Sequence, residues 1–336
     1  MSAERITEQA RRIADDVLLP AAMAVDGAAR VPESHLDLLA REGFYGLAGP
    51  ADRGGLDLDE QSAARIVEIL AGGCLTTAFV WLQHHGAVRA VRTAADPALR
   101  ERWLKPLCGG EHRAGVALGG ALPGPPLLRA TQMPGGYLLD GTSPWVTGWG
   151  MIDTLYTAAR DDRDNVVSAL LAASASPTLA AEPMQLVAVT ASSTVRLVVN
   201  RHFVPADRVI GSAPHSDWLA RDARGLRING SLALGVAARC CAMIGPSPLD
   251  GELRARRAAL DTAPPGAMPG ARAAASELAI RAAAALVTVR GSRAILAGEH
   301  PQRLAREALF LLVFASRPAI KESLSGLLTR ARADRG

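Results

Sequence analysis

Apolar positions recur at helical spacing over the first third of the chain. Ile6, Ala10, Ile13 and Val17 fall on one face of an amphipathic helix. "VPESHLDLLAREG" has Pro32 at a first-turn position and Gly43 where a C-cap belongs, and "DPALRERWLKPLCGG" repeats that design with Asp96, Pro97 and Gly109–Gly110. "LDEQSAARIVEILAGG" and "LTTAFVWLQHHGAVRAV" carry the same spacing. Near residue 113 the period changes. Short β-branched or alternating runs such as "RAGVAL", "GGYLLDG", "DTLYTAAR" and "TVRLVVNRHFV", separated by Gly, Pro, Asn and Asp, predict an antiparallel barrel or sandwich. After "VPADRVIG" the helices return. "LRINGSLALGVAARCCAMIG" is nearly all apolar, the stretch from Met268 to Ala297 is rich in Ala and Leu, and Pro301 to Arg330 follows, with "TAPPGAMPG" between helices as a loop. These patterns predict an α+β multidomain protein: an N-terminal helical domain (1–112), a middle β domain (113–212) and a C-terminal antiparallel helix bundle (213–336). The apolar excess of the last helices suggests a face covered by a second subunit.

Composition narrows the classes. At 336 residues, 49% hydrophobic and 21% charged, the chain can bury full-sized cores. A net charge of +4, spread along the chain with no basic run interleaved with aromatics, argues against nucleic acid. No apolar run approaches the ~20 residues of a membrane span, and the charged start "MSAERITEQARRIADD" is not a signal peptide. Cys74, Cys108, Cys240 and Cys241 form no C-x-x-C pair, which excludes a zinc site and a disulfide scaffold and points to a cytoplasmic protein. His84 and His85, adjacent on a helix, cannot face one metal ion; one is expected inside and one at the surface.

"SPWVTGWG", residues 143–150, places two of the chain's five Trp on a Pro-interrupted polar turn. Either Trp145 and Trp149 cover a small core, or an aromatic wall and a hydroxyl wait for a flat ligand. The surrounding phrases, "LAREGFYGLAGPADRGGLDLDEQ", "DPALRERWLKPLCGGEH" with Leu104, Leu107, Gly110 and Glu111, "GGYLLDGTSPWVTGWGMIDTLYTAAR" and "HFVPADRVIG", resemble the acyl-CoA dehydrogenase superfamily over nearly the whole chain. The resemblance implies bound FAD, with Trp145 packing against the isoalloxazine and Thr147 bonding near its hydride-accepting nitrogen, and Trp149 serving as packing. It implies α,β-dehydrogenation of an acyl thioester of coenzyme A or a carrier protein, and a homodimer or homotetramer. It also implies that Gly291 and Ser292, flanked by Arg290 and Arg293, are the remnants of a loop reaching the cofactor's ADP half.

The chain departs from the family where the chemistry needs a base. Matching on Ile320 puts Ala315 at the position of the usual catalytic Glu. Matching on Gly235 puts Gly225 at the alternative position, with Asp222 one turn earlier as the remaining candidate. Glu252, Glu277, Glu299, Glu307 and Glu322 read as solvated helix-face residues. The flavin-lining loop corresponds to "LGGALPGPPLL", without acid or hydroxyls. Three readings follow: a dehydrogenase with an unusual base, a non-catalytic subunit or binding partner that pairs with an active paralogue, and a flavin monooxygenase, which needs no carboxylate.

Overall fold

The computed structural model describes residues 2–315 and 317–329, apart from the Arg224 side chain. Its helices α1 (Ala3–Arg12), α2 (Leu19–Asp26), α3 (Glu33–Arg41), α4 (Glu60–Gly73), α5 (Leu75–Arg92) and α6 (Pro97–Gly109) precede the strands. The start of α6 follows from sequence: the Asp96 carboxylate accepts the Ala98 N–H at 2.8 Å, and Pro97 occupies a first-turn site where no N–H is needed. Between α1 and α2 the chain makes a π-helical turn, Ile13–Leu18. The wider turn rotates the apolar face by one position, so Leu18 is buried and Val17, expected inside, is 37% exposed.

The middle of the chain forms β1 (Ala114–Ala117), β2 (Leu128–Met133), β3 (Gly136–Val146), β4 (Thr154–Arg160), β5 (Asn165–Ala172), β6 (Leu179–Pro183), β7 (Val195–Pro205) and β8 (Val209–Pro214). They make one mixed sheet in the order β6-β7-β3-β2-β4-β5-β8, with β1 beside β4. Most pairs are antiparallel, as the alternating pattern predicts, but β1 and β2 run parallel to β4. The sheet is not closed into a barrel: β6 and β8 end the order. The β2–β3 hairpin pairs Met133 with Gly136 across Pro134–Gly135, and Gly135 takes the positive φ (80°) that a tight Pro-Gly turn demands.

Helices α7 (His215–Ile244), α8 (Pro248–Thr262), α9 (Met268–Arg290), α10 (His300–Val313) and α11 (Pro318–Thr329) complete the chain. The "TAPPGAMPG" loop is shorter than expected, because Met268, Pro269 and Gly270 form the first turn of α9, where Pro costs no hydrogen bond. Helices from both ends of the sequence share one core that runs from Ile6 to Leu324, and a second core lies on the sheet. The crossing of α4 with α7 depends on Gly235: a Cβ there would lie 2.3 Å from the Glu68 carbonyl oxygen and 2.9 Å from the Gly72 nitrogen. Among the described residues no helix is long and apolar enough to cross a membrane.

Candidate active site

Where the sheet meets the helices lies a cavity of about 820 Å³. The strand side gives it Leu118, Leu122, Pro123, Pro144, Trp145, Thr147 and Thr194. Helix α5 adds the stripe Phe79, Leu82, Gln83, Gly86 and Arg89, α7 adds Asp222, Gly225, Ile228 and Asn229, and the end of α10 adds Leu309, Phe310, Val313, Phe314 and Ala315. Most of this wall is apolar.

The SPWV segment answers the question its sequence raises. Pairing of β3 with β7 shifts register between Ser143 and Val146, a bulge that accommodates Pro144 and turns the next side chain off the sheet. Trp145 has φ 63°, rare for a bulky residue, and is 58% exposed while lining the cavity. It is therefore not a core residue. Strain held at a cavity wall is the kind a functional site retains. Trp149 instead packs on the sheet core, as expected.

Thr147 is buried, and its hydroxyl lies 3.2 Å from that of Thr194, which lies 2.8 Å from that of Ser192. Two of the three members of this hydroxyl chain line the cavity. The backbone fixes the chain. The Gly148 N–H donates to the Ser192 carbonyl (2.9 Å), the Trp149 N–H to the Ser193 carbonyl (3.2 Å), and the Ser193 hydroxyl to the Trp149 carbonyl (2.9 Å).

The "LGGALPGPPLL" loop does line the cavity, with apolar side chains. Its carbonyls are gathered by one buried guanidinium that sequence reasoning missed. Arg160 donates to Gly120 (2.8 Å), Leu122 (2.9 Å) and Gly124 (3.2 Å). A second missed residue is Arg317, which donates to both carboxylate oxygens of Asp222 at 2.7 and 3.0 Å. Asp222 thus lines the cavity, but as one half of a bidentate ion pair, and it is the sole carboxylate among the described lining residues. A third is Arg272, fully buried. It donates to the carbonyls of Leu311 (3.5 Å) and Phe314 (3.4 Å) and to the Ser276 hydroxyl, and burial lowers its pKa to about 10. It holds the end of α10, where Ala315 sits at φ 50° on the cavity wall.

Other sequence expectations resolve less simply. Gly291, with φ 65°, and Ser292 begin an exposed 3₁₀ turn after α9 and line no described cavity. His84 and His85 are both buried, not one inside and one out, because both point away from the cavity face of α5, His84 onto Tyr45 and His85 onto Trp81. His84 Nδ1 accepts the Ala114 N–H at 3.0 Å, and burial lowers the His84 pKa to about 3 and that of His85 well below the usual value. Neither lines the cavity. Glu307 is not solvated: it is 1% exposed and accepts from Arg303 at 2.5 Å, and burial raises its pKa. Glu252 and Glu277 share Arg281, and Glu299 pairs with Arg293. The four cysteines are buried and free, and burial pushes Cys108, Cys240 and Cys241 up to about 11, 12 and 11. Among the described residues, no group of three or more His, Cys, Asp or Glu could hold a metal ion.

Comparison with known proteins agrees with this architecture. Residues 2–111 match the family described as acyl-CoA dehydrogenase, N-terminal domain. The mitochondrial isovaleryl-CoA dehydrogenase of Oryza sativa subsp. japonica is 22% identical over 219 residues, 62% of this chain and 54% of that protein. The butyryl-CoA dehydrogenase of Megasphaera elsdenii superposes with a TM-score of 0.83 at 18% identity, covering 98% of both chains, and the structure described as PigA with FAD and proline gives 0.82 at 19%, again covering 98% of each. Residues 2–111 therefore match that family's N-terminal domain, and the chain as a whole has the fold of the acyl-CoA dehydrogenases on which it superposes. It spans about half the length of the curated relatives it matches.

The residues present fit a flavin ring. Trp145 offers an uncovered aromatic face, Thr147 a fixed hydroxyl beside it in the sequence, and the cavity has room for a planar ring with apolar walls.

Proposed function

We propose that this chain is an FAD-dependent oxidoreductase of the acyl-CoA dehydrogenase kind, acting on an acyl thioester by α,β-dehydrogenation. The observation that carries the reading is Trp145, held on the cavity wall by a strained bulge beside the Thr147–Thr194–Ser192 hydroxyl chain. FAD, when bound, supplies the hydride acceptor. Trp145 would hold one face of its ring, and Thr147 would hydrogen-bond its edge, with Thr194 and Ser192 fixing that hydroxyl's direction. The apolar remainder of the cavity would take the acyl chain and exclude water.

Removal of an α-proton needs a base, worth roughly 10²–10⁴-fold in rate. Ala315 cannot supply it. Asp222 can do so only by giving up a bond to Arg317. That engagement favours a second reading, in which the chain binds its ligand without oxidising it and serves as a subunit beside an active paralogue. A flavin monooxygenase would tolerate Ala315 as well. Exposed Val289, Ile295, Leu296, Leu309 and Val313, at the end of α9, in the following turn and on α10, support a homodimer or homotetramer with its contact there. Gly291 and Ser292, in the same turn, would meet the ADP half of the cofactor at that contact. Buried, unpaired cysteines agree with a cytoplasmic protein.

The test is anaerobic addition of short, branched and long acyl thioesters to the FAD-loaded protein. Bleaching of the flavin by one of them, lost in Asp222→Asn, is the expected result. No bleaching across the set removes the dehydrogenase reading. Oxygen uptake by the reduced protein with a hydroxylated product would mark a monooxygenase instead.

A further inference from the structure

A second cavity, of about 720 Å³, lies beside the first and shares Gly86, Arg89, Asp222, Gly225 and Ile228 with it. These residues of α5 and α7 border both spaces, and that shared border is the neck at which the two approach each other. Gly225 keeps the neck open: a Cβ there would meet nothing within 4 Å, so no packing contact explains a helix-weakening residue in mid-helix.

Arg89 stands at this neck. Among the described residues its guanidinium makes no hydrogen bond and no ion pair. Of the other charged groups around the two cavities, Asp222 is held by Arg317, Arg92 donates to the Ala48 carbonyl, and Asp57, Glu60 and Arg221 line the second cavity alone, whereas Arg89 lines both. Arg89 is surrounded by enough protein for burial to lower its pKa, with the charge of Glu60 the one opposing influence, yet its side chain leaves much of its surface uncovered. Deep and uncovered together mean that this surface opens into the cavities. A guanidinium with no described protein partner and with its surface open to a cavity can receive an anion there, and its planar fork suits carboxylate or phosphate oxygens.

We propose that Arg89 receives an anionic group of the bound thioester, so that the substrate carries a carboxylate on its acyl group or a phosphate on its carrier at the neck between the two cavities. This inference rests on the thioester reading above. A ligand spanning both spaces would lay its reacting end against the Trp145 wall and its anion one cavity-length away.

The experiment is calorimetric titration of the full chain, which needs no turnover, with four probes: butyryl-CoA, glutaryl-CoA, and the N-acetylcysteamine thioesters of the same two acids, which lack phosphate. Arg89→Gln is expected to weaken the anionic probes roughly 10- to 100-fold and to leave the neutral butyryl-N-acetylcysteamine unchanged. Arg89→Lys should recover part of the loss. A loss confined to the two glutaryl probes assigns the anion to the acyl group; a loss confined to the two CoA probes assigns it to the carrier. Both variants should melt no lower than the wild type, since a guanidinium open to a cavity and without a protein partner adds no contact that holds the fold together. Equal weakening of all four probes, or of none, overturns the role of Arg89 and leaves the thioester reading standing. Failure of every probe to bind the wild type overturns both.

Discussion

The helix bundle and the cavity beside it treat charge in opposite ways. In the bundle the buried guanidiniums among the described residues have work within the protein. Arg303 pairs with Glu307, Arg227 with Asp261 and Ser231, and Arg272 with the carbonyls that end α10. At the neck of the cavities the exposed Arg89 guanidinium has no partner among the described residues, and close by Trp145 is left uncovered on strained backbone. The first arrangement is what stability requires of buried charge. The second leaves a charge and an aromatic face open to a cavity, where a ligand can meet them. Changes in the bundle should therefore cost stability, and changes at the cavity should cost binding.

The sharpest break of that contrast is Glu307→Ala, which leaves Arg303 buried and uncompensated. Urea unfolding should show a loss of about 3–5 kcal/mol, and a loss under 1 kcal/mol would mean the pair is not the buried unit described here. Acid is next. His84 and His85 have folded pKa values lowered below 6.5, so the stability they permit is present above that pH and is lost as pH falls through 6.5 toward the folded values. Each neutral His contributes a loss of about 1.4 kcal/mol per pH unit in that window, opposed by Glu307, whose raised pKa acts in the other direction. Unfolding free energies at pH about 7.5 and about 5.5 check this, and a flat profile would contradict it. Arg272→Met should cost about 2 kcal/mol and also lower FAD affinity, because the Phe314–Ala315 turn it holds is part of the cavity wall. Unchanged FAD affinity in a folded variant would confine Arg272 to the bundle. Smallest is Gly225→Ala, which should raise stability by up to about 1 kcal/mol, since the added methyl meets open space. A loss of stability there would mean the neck is packed rather than open.

Much of this was legible in the sequence, for identifiable reasons. Pro97 after Asp96 and the change of period near residue 113 are local signals, and the structure follows them. SPWV stood out in the sequence for its Pro and paired Trp, but the bulge and positive φ that bring Trp145 to the cavity wall are features of strand pairing and could not be read from it. Val17 misled because a π-helical turn shifts the face without changing composition. His84 and His85 misled because the open side of α5 at that turn is the cavity face of Gln83 and Gly86, a fact of tertiary packing. The arginines were least readable of all. Arg89, Arg160, Arg272 and Arg317 look alike on the chain, and each takes its meaning from what stands opposite: nothing, a carbonyl cluster, a helix end, a carboxylate.

The most direct test of the contrast is an FAD titration of the purified protein, following bound flavin after desalting, for the wild type and Trp145→Ala. The account predicts stoichiometric FAD in the wild type. For the variant it predicts flavin affinity at least roughly tenfold weaker, with unfolding free energy within about 0.5 kcal/mol of the parent. A wild type that retains no flavin, or a Trp145→Ala variant that holds it as tightly, would contradict the assignment of this wall to the cofactor.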